Sequence, residues 1–213
     1  SVMASNLSCD PLAGPVESGA FARLTDVDLS QLRVAWSPDL GSVPVDNTIA
    51  RLFAERVGSV ASAFRSCERC DPDMTNALET FWIIRGVHFV AAQLENYRNF
   101  PDKLGPNVAG NVVSGLEMTA EEIAWATAEQ TRLYRGFQTF FEGIDLLLCP
   151  GNAVPPFPVE QLYCDEINGK KTQNYVEWLG IASAITLTGH PVTLVPIGLD
   201  HTGTPMGMQV VGP

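Results

Sequence analysis

The sequence predicts an α/β fold with a mixed central β-sheet flanked by helices. The predicted elements run in the order strand, long helices, buried strand, helix and two final strands, an order that builds a sheet covered by helices. In addition, the segment Leu146–Cys149 is wholly apolar and lies between turn-forming residues. Such a segment is typical of a strand that is buried on both faces of a central sheet.

The first part of the chain is predicted to contain one strand and one helix after an irregular start. Residues 1–30 are rich in Pro, Gly, Ser and Asp, so we expect an irregular lead-in there. The segment Leu32–Ser37 alternates apolar and polar residues and ends at Pro38, which predicts a strand. Asp46 is a suitable N-cap for a helix that continues to about Phe64.

Two long helices are predicted next. Apolar residues recur at helical spacing over Met74–Arg98, and the preceding Asp71-Pro72 pair is a helix-start signal. A loop is expected after this helix. Thr119 and Glu122 then fit a capping box, in which each side chain satisfies a free backbone N–H group of the other residue. This box predicts a helix that runs to about Phe141.

The last third of the chain is predicted to add a turn, a helix and a hairpin to the buried strand. Asn168-Gly169 is a strong turn signal. Tyr175–Leu187 is predicted to be an apolar helix. Val192–Gly198 and Met206–Gly212 are predicted to be strands, joined by the turn Asp200–Gly203 into an antiparallel hairpin.

Composition and charge exclude several classes of protein. Hydrophobic residues make up 46% of the 213 residues and charged residues 17%, so the chain is too apolar to be disordered. The formal net charge of -11 provides no basic footprint for nucleic acid and disfavours an anionic membrane surface. No apolar run approaches the roughly 20 residues that span a bilayer. The first residues lack the pattern of a secretory leader, and we expect a cytoplasmic protein.

The cysteines and histidines give no metal, cofactor or redox site. Five scattered cysteines suit a reducing compartment better than a disulfide framework. Cys67 and Cys70 form a lone CxxC at what we interpret as a helix end, without a second ligand pair for zinc. His88 is expected to be a buried core histidine, and His201 to be solvated in a turn.

Three segments of the last third resemble the amidase signature family. They are Asp145–Phe157, Thr186–Gly198 and Gly203–Gly212, in the family's order and spacing. Leu32–Asp46 is more weakly similar to the strand and Pro-Val-Asp turn that follow the family's catalytic segment. The resemblance implies hydrolysis of a carboxylic amide by acyl transfer to a serine. In the family, a neutral lysine deprotonates that serine through a second, cis-configured serine.

The resemblance also implies that this chain is only the C-terminal half of the domain. The family's Gly- and Ser-rich catalytic stretch is absent, and Lys103, Lys170 and Lys171 are the only lysines. None of the three lies in a context like that of the family's catalytic lysine. We therefore interpret residues 31–213 as the C-terminal half of an amidase signature domain without its catalytic half, and we assign no catalytic residue.

In the family, this half lines the substrate pocket and completes the sheet. The resemblance therefore implies that the substrate-binding residues are Asn152, Trp178, Ile181, Ile185 and His190. The expected ligand is a small-molecule amide. Glutamine-dependent amidotransferase subunits carry an acidic residue where this chain has Leu179, and Glu177 would face elsewhere because two residues rotate a helix by roughly 200°. A general amidase with an apolar pocket is therefore favoured.

Two functions remain open at this point. The chain is either the substrate-lining half of an amide hydrolase, or a degenerate amidase without activity that serves as a binding or scaffold protein. An in-frame glycine- and serine-rich stretch upstream of Ser1 would favour the first, and a start codon close to Ser1 the second. In either case a strand without a neighbour would leave a sheet edge exposed. The missing N-terminal half is therefore an expected partner, and self-association is the alternative.

Overall fold

The computed structural model describes residues 25–213 and contains a five-stranded mixed sheet. Its strands follow the order β2-β1-β3-β7-β6 across the sheet, and β4 and β5 form a separate two-stranded hairpin. The strands are β1 (Arg33–Trp36), β2 (Ser66–Arg69), β3 (Leu146–Pro150), β4 (Glu166–Ile167), β5 (Lys170–Lys171), β6 (Val192–Leu199) and β7 (Pro205–Val211).

The sheet combines parallel and antiparallel pairs, which confirms the predicted mixed α/β fold. Strand β1 lies parallel to β2 on one side and to β3 on the other. Strand β7 runs antiparallel to β3, and β6 runs antiparallel to β7, as predicted for a terminal hairpin. Strand β3 thus has a neighbour on each side, which explains why Leu147, Leu148 and Cys149 are buried.

Between residues 25 and 213, five α-helices accompany the sheet. They are α1 (Asn47–Val60), α2 (Ala77–Asn99), α3 (Pro106–Glu117), α4 (Ala120–Phe141) and α5 (Gly180–Thr186). Two of the three predicted helix starts are present. The start predicted at Asp71-Pro72 is wrong, because α2 begins at Ala77 after Asn76, and Asp71 accepts a hydrogen bond from Ser37 instead. The Asp46 carboxylate accepts hydrogen bonds from the backbone N–H groups of Thr48 and Ile49, and Thr119 and Glu122 form the complete capping box. No helix in the part of the chain that the structure describes is long and apolar enough to cross a membrane.

Two elements differ from the sequence prediction. The segment around Cys67 is the edge strand β2 and not a helix end, because its backbone pairs with β1 from Arg33 to Trp36. A loop was predicted as far as Gly105-Pro106 and no element from 107 to 118, where the structure has the helix α3. Pro106 starts this helix at a first-turn position where its missing N–H is not needed. Its small residues, including Gly110 and Gly115, hid this helix from a prediction based on hydrophobic spacing.

Smaller corrections concern the ends of elements and one histidine. The predicted helix Tyr175–Leu187 consists of a short 3-10 turn, Glu177–Leu179, followed by α5. The side-chain oxygens of Asn174 and Glu177 accept hydrogen bonds from the backbone N–H groups of Val176 and Gln173, and these bonds hold a turn before it. His88 is exposed on α2, so the expectation of a core histidine is wrong. Most of the predicted lead-in lies outside the described residues.

A carboxylate–guanidinium pair joins the starts of the two central strands. Arg33 donates from Nε and from Nη2 to the carboxylate of Asp145 at 3.1 and 2.8 Å, and its backbone N–H donates to Oδ2 at 2.7 Å. These bonds favour the charged carboxylate and lower the pKa of Asp145 to about 2. The pair thereby fixes the register of β1 against β3 at the end opposite to the candidate site.

Asp145→Asn is expected to reduce stability in a pH-dependent way. Because the pKa of Asp145 is lower in the folded chain than the usual value of about 3.9, its contribution is present above about pH 4 and lost as the pH falls towards 2. The pair is partly exposed, so the expected loss is about 1 kcal/mol at neutral pH. Urea unfolding should show that the difference in unfolding free energy between the unsubstituted chain and Asp145→Asn is smaller at lower pH than at pH 6. Asp102→Asn serves as the control. A difference independent of pH would contradict this account.

Candidate substrate-facing groove

Loops that follow the carboxyl ends of β1 and β2 are tied together at one edge of the sheet. Ser37, directly after β1, is fully buried and donates its hydroxyl hydrogen to Asp71 Oδ1 at 2.6 Å. Arg69, the last residue of β2, lies with Nη2 3.6 Å from Asp71 Oδ2. In α/β sheets, ligands bind outside the carboxyl ends of the parallel strands. A ligand of this chain is therefore expected at this edge.

A groove of about 440 Å³ opens beside this edge. One wall is the loop between β1 and α1, from Asp39 to Asn47. The opposite wall is the β4–β5 hairpin with the residues that follow it, and Glu177 lines one end. The expectation that Glu177 faces elsewhere is therefore wrong for this groove, because Glu177–Leu179 is a 3-10 turn and not part of an α-helix. Buried Val43, Val45 and Ile167 form its apolar floor. A cleft of this size with an apolar floor and a polar rim suits a small organic ligand.

The hairpin is anchored to the start of α1 by the side chain of Asn168. Its Oδ1 accepts a hydrogen bond from the Asn47 backbone N–H at 2.9 Å, and its Nδ2 donates to the Val45 carbonyl at 2.8 Å. Asn168 and Gly169 both have positive φ angles, of 53° and 77°. This is the conformation for which an Asn-Gly turn is selected, so the sequence signal is explained. The same side chain fixes the width of the groove.

Asn168→Ala and Asn168→Gly should separate the two roles of this residue. Both variants remove the side-chain bonds, so amide hydrogen exchange at Asn47 is expected to rise by at least ten-fold in each. Only the alanine variant also strains the left-handed backbone, which costs roughly a further 1 kcal/mol of global stability. Unchanged exchange at Asn47 in both variants would show that the hairpin is held by other contacts.

The lysines of the groove do not have the environment of a general base. Lys171 Nζ lies 3.2 Å from Asp165 Oδ2, and this hydrogen bond raises the pKa of Lys171. The ammonium therefore stays protonated, whereas a base that activates a serine must be neutral. Lys170 is exposed, and Lys103 lies in a turn with Nζ 5.0 Å from the ring centre of Phe100.

A thiol nucleophile at the same edge is also unsuited to catalysis. Cys149 lies in β3 and is fully buried, and this burial raises its pKa to about 12. The nucleophilic form of a cysteine is the thiolate, which this environment disfavours. Cys149 therefore packs as an apolar core residue.

Asn152 lies in the loop that follows β3 and stabilises it. The side chain is half-buried, and Nδ2 donates to the Val154 carbonyl at 2.7 Å. The next residue, Ala153, accepts a hydrogen bond from the Asp46 backbone N–H at 2.8 Å. The loop is thereby joined to the N-cap of α1, directly beside the groove.

Trp178 lies in the turn before α5, among other aromatic side chains. Its ring meets Phe157 edge-on at a centroid distance of 5.2 Å and Tyr175 at 6.3 Å. Its indole Nε1 is buried and makes no hydrogen bond. An indole N–H usually finds an acceptor when it is buried, so this donor is an exception among the described residues.

Ile181 and Ile185 follow Trp178 on α5 and belong to the core. Their exposed fractions are 0% and 1%, so neither side chain reaches the surface of this chain. The carbonyl of Ile181 lies 3.5 Å from Gln209 Nε2, which also donates to the Pro150 carbonyl at 2.9 Å. The two isoleucines therefore support the segment that carries Trp178 and hold it against the sheet.

His190 lies in a different environment, packed against α4. Its Nδ1 is 2.9 Å from the Thr188 carbonyl, and its Nε2 is 3.0 Å from Gln138 Nε2. Nδ1 must therefore carry the hydrogen and donate, while Nε2 accepts from the Gln138 amide. The rings of Phe137 and Phe141 are each centred 5.3 Å away. Both nitrogens are thus occupied within the protein.

The structure brings some of the predicted residues together and adds others. Trp178, Ile181 and Ile185 share one helical segment, and Asn152 starts the loop that leads to Phe157 at the Trp178 ring. The sequence analysis did not predict that the loop Asp39–Asn47 forms a wall of the groove. It also did not predict the hydrogen bond between Ser37 and Asp71. The available signal was that Ser37 follows an apolar strand, but its partner follows β2, which was not predicted as a strand.

Comparison with known proteins identifies the family. The family model described as Amidase matches residues 2–213 of this chain. The chain belongs to the Amidase family. An acylamidase of Rhodococcus erythropolis is 22% identical over 212 residues, which are 98% of this chain and 44% of that protein. A glutamyl-tRNA(Gln) amidotransferase subunit of Leptospira interrogans is 25% identical, over 90% of this chain and 34% of its own length.

Solved structures confirm the fold of this Amidase chain. A bacterial aryl acylamidase of the amidase signature family superposes with a TM-score of 0.76 at 18% identity, covering 87% of this chain and 41% of that structure. A 6-aminohexanoate cyclic dimer hydrolase gives 0.74 at 18% identity, with coverages of 98% and 47%. This Amidase chain therefore spans less than half the length of each of these relatives.

Proposed function

We propose that the parent protein hydrolyses the C–N bond of a non-peptide carboxylic amide by acyl transfer to a serine. This chain is its substrate-lining, sheet-completing half and carries no residue of the Ser–Ser–Lys triad. The observation that carries the proposal is the Amidase family match over residues 2–213, in a chain whose three lysines are all exposed. The raised pKa of Lys171 supports the proposal that this chain carries no residue of the triad, because a protonated lysine cannot accept the serine proton.

The proposed substrate-facing surface is the groove together with the Trp178 segment beside it. Trp178 contributes a half-buried aromatic side chain, which suits the acyl or aryl part of a small amide. Asn152 contributes a polar side chain on the adjacent loop. Ile181 and Ile185 support this surface from behind, and His190 positions the turn before β6 against α4.

The proposed macromolecular partner is the missing N-terminal half of the amidase domain. Coverages of 41% and 47% of the solved relatives support this, because the remainder of those proteins has no counterpart in this chain. The similarity to a glutamyl-tRNA(Gln) amidotransferase subunit also supports a partner, because that relative is by name part of a larger assembly. Self-association is the alternative way to cover the surface that would face the missing half.

A second candidate function is a non-catalytic binding or scaffold protein derived from an amidase. Two features support this second function as much as the first, because each removes a reactive group. Lys171 forms an ion pair with Asp165, and the thiol of Cys149 is buried. The two functions differ in the upstream reading frame: an in-frame glycine- and serine-rich stretch supports the amidase half, and a start codon close to Ser1 supports the binding protein.

Binding without turnover tests the proposal. A simple aryl amide titrated against the chain should perturb the NMR signal of the Trp178 indole N–H without any release of the aryl amine. Trp178→Phe should weaken this binding about ten-fold, whereas Trp125→Phe on α4 should leave it unchanged. Equal binding by both variants would place the amide elsewhere, and release of amine would overturn the non-catalytic assignment.

A further inference from the structure

The turn of the β4–β5 hairpin, Asn168-Gly169, is the only Asn-Gly dipeptide in the sequence. In such a dipeptide the backbone nitrogen of the glycine can attack the side-chain amide carbon of the asparagine, because glycine has no side chain to block the approach. Asn168 is exposed, and a methyl group added at Gly169 would meet nothing within 4 Å. Among the described residues, the Gly169 N–H has no hydrogen-bond acceptor. The dipeptide therefore has the composition and the exposure that this reaction requires.

The conformation of the folded turn opposes the reaction. Attack closes a five-membered ring, which requires the Gly169 nitrogen to lie on the same side of the Cα–C bond of Asn168 as Cβ. Asn168 has a φ of 53°, in the left-handed region, where ψ is about +30 to +60°. At such a ψ the Gly169 nitrogen lies nearly opposite to Cβ. The backbone must therefore leave the left-handed conformation before the ring can close.

Two hydrogen bonds add a second restraint on the amide of Asn168. Its Oδ1 accepts from the Asn47 backbone N–H at 2.9 Å, and its Nδ2 donates to the Val45 carbonyl at 2.8 Å. Both bonds hold the amide towards the start of α1, and both must break before Cγ can turn to Gly169. The rate of reaction therefore depends on how often the hairpin opens locally.

We propose that Asn168 is a deamidation site, which the anchored hairpin protects and which reacts only when the hairpin separates from the start of α1. The Gly169 nitrogen forms a bond to Asn168 Cγ, the bond from Cγ to Nδ2 breaks, and ammonia leaves with the proton of the Gly169 N–H. Water then adds to one of the two carbonyl carbons of the cyclic imide and breaks its bond to nitrogen. The products are aspartate or isoaspartate at position 168, and water is the only co-reactant.

Neither product restores the anchor between the hairpin and α1. In aspartate an oxygen replaces Nδ2, so the Val45 carbonyl loses its donor and faces a second acceptor. In isoaspartate the side-chain carbon becomes part of the main chain, which lengthens a two-residue turn that tolerates little change in length. Deamidation therefore releases the hairpin wall of the groove permanently. This inference does not depend on amide hydrolysis by the parent protein, so its failure would leave the proposed function standing.

Peptide mapping by mass spectrometry, after prolonged incubation of the full chain at mildly alkaline pH, tests the site and its protection. Asn47→Pro removes the N–H that bonds to Asn168, at the first position of α1, where proline is accepted; Asp46 before it already has an extended ψ of 132°. This variant should deamidate at Asn168 about five-fold faster than the unsubstituted chain. Asn47→Ala keeps the N–H and should match the unsubstituted chain. The chain unfolded in urea should react fastest.

Three results would overturn the proposed protection. They are equal rates in the folded and the unfolded chain, equal rates in the two Asn47 variants, and modification of other asparagines in preference to Asn168.

Amide hydrogen exchange of the isolated isoaspartate form tests the release of the hairpin. Exchange at Asn47 should be about ten-fold faster than in the unmodified chain. Exchange at Thr48, whose N–H donates to Asp46 at 2.8 Å, should stay the same. Unchanged exchange at Asn47 would show that the modified hairpin remains attached and would overturn this part of the proposal.

Discussion

Gly115→Ala is expected to lower the free energy of unfolding by about 3 kcal/mol. Helices α2 and α3 pack closely where Gly115 meets Gly86. A methyl group at Gly115 would lie 2.6 Å from the carbonyl carbon of Gly86 and 2.8 Å from Val90 Cγ2. Because the first of these atoms is backbone, the helices must move apart to make room. The apolar contact between them would then be lost along its length.

Two other glycines provide a matched series for this prediction. Gly110 lies on the exposed face of α3, and an added methyl group meets nothing within 4 Å. Gly110→Ala is therefore expected to stabilise the chain by about 0.5–1 kcal/mol through helix propensity. At Gly86 the nearest atoms belong to the flexible end of Met118. The stability of Gly86→Ala should therefore lie between those of Gly110→Ala and Gly115→Ala. Chemical denaturation of the three variants should give this order, and equal stability of Gly115→Ala and Gly110→Ala would contradict the close packing.

Phe137→Ala is expected to cost about 3–5 kcal/mol of unfolding free energy. Phe137 is fully buried on α4, and its ring lies 6.0 Å from the rings of Phe140 and Phe141 and 5.3 Å from that of His190. Removing it leaves a cavity beneath the turn that leads into β6. The imidazole of His190 would also lose the ring that packs beside its two hydrogen bonds.

Tyr134 is the control for Phe137, because it lies one turn earlier on the same helix. Its ring also contacts His190, at 5.7 Å, but its side chain is 48% exposed. Tyr134→Ala should therefore cost about 1 kcal/mol, since little apolar area returns to water. The midpoint temperature of thermal unfolding should fall clearly further in Phe137→Ala than in Tyr134→Ala. Comparable decreases would mean that burial on this face does not govern stability.

Much of the fold was predictable because the decisive signals are local. The capping box of Thr119 and Glu122 marks the start of α4, and the apolar run Leu146–Cys149 marks β3 as a central strand. The antiparallel hairpin of β6 and β7 followed from two apolar runs with a turn between them. In each case the information lies within a few neighbouring residues.

The missed elements depend on contacts between distant parts of the chain. Strand β2 has no apolar alternation of its own and is extended because β1 pairs with it. Helix α3 consists largely of weak helix formers, and the close approach of Gly115 to Gly86 gives it a partner. His88 lies among apolar neighbours in sequence, but on the side of α2 that faces away from the core.

The candidate site was predictable only where the family resemblance pointed to it. The resemblance implied Trp178 and Asn152 as substrate-binding residues, and this stays a prediction. The groove itself requires Asn168 to join the β4–β5 hairpin to the start of α1, two segments more than 100 residues apart. A turn signal in a sequence predicts that the chain reverses there, and does not reveal what the turn contacts.

The most direct test of the central assignment is covalent labelling of the chain by a fluorophosphonate, which reacts with activated serines. Intact mass spectrometry after prolonged incubation should show the unmodified mass, because no serine of this chain is expected to have a neutral lysine to activate it. A serine hydrolase treated in parallel confirms that the reagent is active. One adduct per chain, with its site mapped to a single serine, would contradict the assignment and establish a reactive centre within these 213 residues.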